Sequence, residues 1–260
     1  MSESKSFRTN PSVATVIVQS IADAAEQVKE EIAQQNFITG NGTPGRFWDF
    51  VNTNLCKKLG NVNCKTHITK RGYWATVLIY ESKPGYIYTL MRENRYSQVS
   101  ADILKRKNMH YIDILSHYVN ADLLAYPGQL RLYSNFQDED RLKEKFTDLI
   151  QDSFGPVSDI KRYVLVLFDA SQGELHSVRA VTLDANLDIV DEANWSDYIP
   201  VNESIIVSTV SDPHDPANHP THNLTLQNTS LSRVAKRSGN PLKKDTSPEK
   251  TDTAEGPINK

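Results

Sequence analysis

A disulfide framework, a membrane span and a nucleotide-binding loop are all missing from this sequence of 260 residues. Two cysteines, Cys56 and Cys64, are too few for a stapled scaffold. Nothing approaches the ~20 consecutive apolar residues that a bilayer requires. The longest early apolar run, Val13 to Val18, already contains Thr15 and meets Gln19 and Ser20. That is short for a secretory leader, although Ala22-Asp23-Ala24 mimics a cleavage site. Neither G-x-x-x-x-G-K-[ST] nor G-x-G-x-x-G occurs, which removes the simplest NTPase and dehydrogenase readings. No repeat of fixed period is visible. The expectation is a soluble, cytoplasmic protein with no cofactor and no membrane contact.

What is there is enough for a core: 38% hydrophobic and 23% charged residues. Residues 1–10 are polar and expected to fray. Val13, Ile17, Ile21, Ala24, Val28 and Ile32 recur at helical spacing, with Ser12 placed to cap, so a helix is predicted to about Gln35. After Thr39-Gly40-Asn41-Gly42, Thr43 is read as the cap of a second helix with Pro44 at its first position. Lys65–Lys70, Tyr73–Tyr80 and Tyr86–Met91 are rich in β-branched and aromatic residues, a meander whose second turn, with Pro84-Gly85, suits type II. A single helix is expected over Ala101 to Leu124. A short strand follows at Gln129–Tyr133, then a helix over Asp138–Phe154. Strands are predicted at Arg162–Phe168, Glu174–Leu183, Leu187–Val190 and Ser204–Val210. YVLVLF, at 163–168, is apolar throughout, the pattern of a strand covered on both faces.

The fold class is therefore α+β: N-terminal helices, antiparallel or mixed β-meanders with packed helices, and a C-terminal tail. Residues 11–210 form one globular domain, with a basic lobe at 46–124 and an acidic lobe at 129–210. Residues 211–260 turn to Pro, Asn, Thr, Ser, Lys and Asp, the composition of a disordered tail.

Several groups of residues suggest chemistry and then fall short of it. Cys56, Cys64 and His67 lack the tight cysteine pair of a zinc site, and Cys64 and His67 would point to opposite faces of a strand. Asp184-Ala185-Asn186-Leu187-Asp188 opens like a calcium loop, but its sixth position is Ile189 and its twelfth Trp195, so a turn is the simpler reading. No metal is expected. Glu81-Ser82-Lys83 has the E-x-K spacing of many nucleases, which need a second acid close by; Asp49 is the one earlier acid in that window. His110, Asp113 and His117 would share one stripe of the expected helix beside Arg106 and Lys107. There His110 is the candidate general base of a metal-independent RNase.

Charge along the chain is uneven. Between Arg46 and Lys107 there are 12 Lys or Arg against Asp49, Glu81, Glu93 and Asp102, a surplus of 8 in a chain whose net charge is −3. Arg92, Arg95, Lys105, Arg106 and Lys107, with Lys70 and Arg71, are the candidate phosphate contacts, and tyrosines are interleaved among them. Cations for phosphates with aromatics for bases is the composition of a nucleic-acid surface. The same asymmetry also suits an acidic protein partner.

RFWDFVNTNL, YTLMRENRYSQV, RKNMHYIDIL and VLFDASQGELHSVRAVTLDANLDIVDEANWSDYI together resemble an uncharacterised bacterial domain family of unknown function. The resemblance runs from Val13 to Ile199 and implies a bacterial cytoplasmic accessory protein. It carries no catalytic residues. The function expected from the residues is RNA or DNA contact through the basic surface, as an RNase-like toxin or defence factor. The alternative is a non-catalytic interaction or regulatory module whose basic lobe and tail bind an acidic protein.

Overall fold

In a computed structural model the described residues are 7–8, 10–35, 38–71, 74–103, 105–106, 109–126, 139–154 and 159–201. The expected strands at 129–133 and 204–210, the tail at 211–260, and Lys107 lie outside them. The described part contains five α-helices and a six-stranded mixed sheet, an α+β fold. No helix among these residues is long and apolar enough to cross a membrane.

The first helix, α1 (Pro11–Gln35), buries Val13, Ile17, Ile21, Ala24 and Val28 of the stripe read from the sequence, while Ile32, its last member, is exposed. Its cap is Asn10 rather than Ser12: Asn10 Oδ1 accepts the Ser12 N–H at 3.1 Å. Pro11 opens the helix two residues earlier than expected because proline has no N–H to satisfy at that position. Phe7, inside the segment expected to fray, is buried in the core and donates its N–H to Asp191 at 3.0 Å. In α2 (Thr43–Lys58) Thr43 is already helical and no side chain caps the start. Phe47, Val51 and Leu55 face inward, and Leu59 follows in a single 3-10 turn.

The strands are β1 (Cys64–Arg71), β2 (Trp74–Glu81), β3 (Tyr86–Arg92), β4 (Arg162–Ser171), β5 (Glu174–Leu183) and β6 (Ile189–Asn194). They lie side by side in sequence order. All neighbours are antiparallel except β3 and β4, which are parallel. Two meanders are thus joined by one crossover, and a parallel pair requires such a long connection. The crossover holds α3 (Glu93–Ala101), α4 (Tyr111–Val119) and α5 (Glu139–Phe154).

Each face of the sheet has its own core. Residues from α1 and α2 pack with Val77, Ile79, Tyr88 and Leu90, and residues from α3, α4 and α5 pack with Leu78, Ile87 and Met91. Strand β4 divides by alternation: Val164, Val166 and Phe168 join the first core, and Tyr163, Leu165 and Leu167 join the second. All six are fully buried. At about 1.5–3 kcal/mol per large buried side chain, this strand is the spine of the domain.

Two local expectations are corrected. The turn between β2 and β3 is not type II: the Lys83–Pro84 peptide is cis, and the Gly85 N–H closes back on Glu81 O at 3.0 Å. Glycine is required at 85, because φ is +93° and a Cβ would lie 2.4 Å from Asp159 O. The single helix expected over 101–124 is shortened to α4, Tyr111–Val119, and α3, which ends at Ala101, is a helix that the sequence reading did not expect. Between Leu104 and Tyr111 the sequence has only Met109 to hold an apolar face. A polar cap at His110 and Asp113 starts a new helix there.

Candidate functional site

The cations that stand together in the sequence have different partners in the structure. Arg106 is drawn into a clasp at the start of α4. Its guanidinium makes two parallel hydrogen bonds to Asp113, at 2.7 and 2.9 Å. Asp113 is 2% exposed and also accepts the His110 N–H at 2.6 Å. His110 itself is the cap: its Nδ1 accepts the Ile112 N–H at 3.4 Å, and its ring lies 4.4 Å from that of Tyr111. The expected stripe of His110, Asp113 and His117 is corrected accordingly, since Asp113 is spent on Arg106 and on the backbone. Such a bidentate, half-buried pair fixes geometry. It positions a helix start and leaves His110 a structural task.

Arg92 has a different setting. Side chains on β3 alternate, so Arg92 follows Tyr88 and Leu90 onto the face covered by α1 and α2. Its guanidinium lies 4.6 Å from the centre of the Phe47 ring and 5.6 Å from that of Phe168. One N–H donates to Ala170 O at 2.7 Å. Among the described residues no carboxylate comes within ion-pair distance of it. Burial pulls its pKa below the ordinary value, and Asp169 opposes that from further away. It borders a cleft of about 480 Å³ walled by Ala25, Val28, Pro44, Phe47 and Ser171. The cleft sits where the parallel strands β3 and β4 end, the place where α/β sheets commonly receive ligands.

Arg95, in the first turn of α3, is exposed and bonds Gln98 at 3.2 Å. Strand β1 runs in the same direction as β3, so Lys70 and the backbone of Arg71 reach this same end of the sheet. Lys70 is exposed. Lys105 is exposed in the break between helices, 3.5 Å from Asp102. Arg92 and Arg95 thus stand at the carboxyl end of β3, Lys70 stands at the carboxyl end of β1 two strands away, and Arg106 is engaged at the start of α4. A family model described as a family of unknown function (DUF5986) matches residues 6–243. The chain belongs to that family. No curated protein and no solved structure matches it.

The remaining motifs of this DUF5986 member resolve into structure. Cys64 belongs to the α1/α2 core, whereas His67 meets the Phe154 ring on the other face. Among the described residues no three His, Cys, Asp or Glu side chains gather as metal ligands. Asp184 is fully buried, and its carboxylate accepts the backbone N–H groups of Asn186, Asp188 and Ala125. The calcium-like stretch is a turn organised by one aspartate. Arg179, unremarked in the sequence, binds Glu93 through two hydrogen bonds and Glu192 through a third.

Glu81 is a buried hydrogen-bond acceptor. It closes β2 in phase with Val77 and Ile79, which places it on the buried face, and it is 3% exposed. Its two oxygens accept from Asn10 Nδ2 at 2.8 Å and from the Tyr88 hydroxyl at 2.6 Å. Asp49, its suggested nuclease partner, is exposed on α2. The readable signal was an acid in register with a buried alternation.

Proposed function

We propose that this domain is a binding module for a phosphate-bearing partner, RNA or DNA, which it contacts at the carboxyl end of its sheet. This is in keeping with a cytoplasmic accessory role in a bacterium. Arg92 is the inner contact, and Arg95 and Lys70 are the outer ones. The observation that carries the reading is Arg92: a half-buried guanidinium with one backbone hydrogen bond, no carboxylate in ion-pair range among the described residues, and a cleft in front of it. Arginine is suited to this because its planar fork matches phosphate oxygens. Binding rather than cleavage is favoured, because His110 serves as a helix cap and Arg106 is closed on Asp113.

The test is binding of short labelled RNA and duplex DNA at about 50 and 200 mM salt, where counterion release makes phosphate contacts weaken steeply. Wild type is expected to bind, with a steep salt slope. The Arg92→Met, Arg95→Ala double variant flattens that slope, while Lys105→Ala alone leaves it nearly unchanged. Absence of binding at the lower salt sinks the proposal.

A second reading rests on a separate observation. Strand β1 pairs only with β2 among the described residues, and Ile68 on it is 54% exposed. An open edge with an apolar residue between Lys65 and Lys70 suits an acidic peptide added as a further strand. Replacing Ile68 with Lys would abolish that interaction and leave nucleic-acid binding intact.

A further inference from the structure

At the opposite end of the sheet, where β2 turns into β3, a carboxylate is buried without a cation. Glu81 receives two hydrogen bonds, both from neutral donors, Asn10 and Tyr88. A carboxylate has about four acceptor positions, so each oxygen keeps one to offer. Among the described residues no Lys, Arg or His lies within ion-pair distance of it. Glu81 also borders a pocket of about 550 Å³, together with Asn10, Asn63, Cys64, Lys65 and Lys83. The size is that of a small-molecule site.

The chemistry of the lining narrows the ligand. Cys64 is no nucleophile: burial, with the Glu81 charge second, pushes its thiol from 9.0 up to about 12. The Tyr88 phenol is likewise held protonated, by burial first and by its bond to Glu81 next. Neither group can act as a base or a metal-binding anion near neutral pH, so the floor offers one negative charge. Lys65 and Lys83 are exposed at the rim and have no carboxylate within ion-pair distance among the described residues. A bare cation would reach Glu81 past two positive charges, and a simple anion would meet Glu81 at the bottom. A ligand carrying both charges satisfies both levels.

We propose that this pocket binds a free α-amino acid, its ammonium on the Glu81 carboxylate and its carboxylate toward Lys83. The site is independent of the nucleic-acid reading, since it lies at the other end of the strands and uses none of the same residues.

The experiment measures thermal shifts and calorimetric binding of the full chain with each of the standard L-amino acids. Propylamine, sodium propionate, amino-acid methyl esters and Mn²⁺ serve as controls. At least one amino acid is expected to bind, with propylamine and propionate at least tenfold weaker. Glu81→Gln, which preserves size and one of the two acceptor oxygens while removing the charge, removes that binding. Lys83→Met, at an exposed turn position outside the core, weakens the amino acid severalfold but not its methyl ester, and so keeps the test decisive should Glu81→Gln fail to fold. The proposal is overturned if no amino acid binds wild type, if both variants bind as wild type does, or if Mn²⁺ alone binds in a Glu81-dependent way.

Discussion

The two ends of the sheet carry charges of opposite sign that find no ion-pair partner among the described residues. At the end of β3, Arg92 sits half-buried over two aromatic rings with a backbone carbonyl as its hydrogen-bond acceptor. At the end of β2, Glu81 sits buried with an amide and a phenol as its donors. The start of α4 and the centre of β5 are different: Arg106 closes on Asp113, and Arg179 closes on Glu93 and Glu192. Removing a charge from water is costly unless a partner replaces the solvent. A matched pair explains itself within the fold, and an unmatched one bordering a cleft points outward. Clustering along the sequence did not separate these cases; the partner of each charge did.

The largest effect should come from breaking a matched pair. Asp113→Ala leaves the Arg106 guanidinium and the His110 N–H without their acceptor, and a loss of about 3 kcal/mol is expected from the behaviour of broken buried pairs. Urea denaturation measures it. A loss below about 1 kcal/mol, the range of surface pairs, would erase the contrast between this clasp and the rest of the surface.

Next comes alkaline pH. The folded state holds Cys64 protonated up to about 12, and Tyr96 also up to about 12, in both cases through burial first. Between the unfolded values and those raised ones the native state keeps protons that the unfolded chain has released. Stability is therefore fully present below pH 9 and falls as pH rises toward 12. The slope from one such group is at most about 1.4 kcal/mol per pH unit. Cys64→Ala removes its share of the slope, which denaturation at pH 8 and pH 10.5 would show. In thiol titration at pH 8, Cys56 should react in the folded protein and Cys64 only after unfolding, because only Cys56 is exposed.

The smallest stability effect is expected where the charge is unmatched. Glu81→Gln keeps one acceptor oxygen for Asn10, lets the Tyr88 hydroxyl rotate to accept from the new amide, and removes a buried charge that no cation among the described residues offsets, so stability should change by less than about 1 kcal/mol. The same change should lower the alkaline titration of Cys64, since Glu81 is one of the causes that raises it. A loss as large as that of Asp113→Ala would make Glu81 a structural anchor and dissolve the comparison.

Much of this was legible residue by residue. The apolar stripe of α1 and the unbroken YVLVLF announced a helix on a sheet and a strand covered on both sides, because burial leaves a period in the sequence. The break between α3 and α4 was less visible. Apolar residues on both sides continued a helical spacing, and a histidine is an uncommon cap. Arg92 and Glu81 could have been placed by alternation with Leu90 and Ile79. Their meaning could not, because it depended on which partners the other strands and helices failed to supply.

The sequence by itself determined the helices α1 and α2, the two meanders and the double cover over β4, each set by hydrophobic period. Tertiary structure alone decided the parallel pairing of β3 with β4, the closure of Arg106 on Asp113, and the isolation of Arg92 and Glu81 at opposite ends. Periodicity is written along the chain, whereas the compensation of a charge depends on distances between residues that the chain brings together only when it folds.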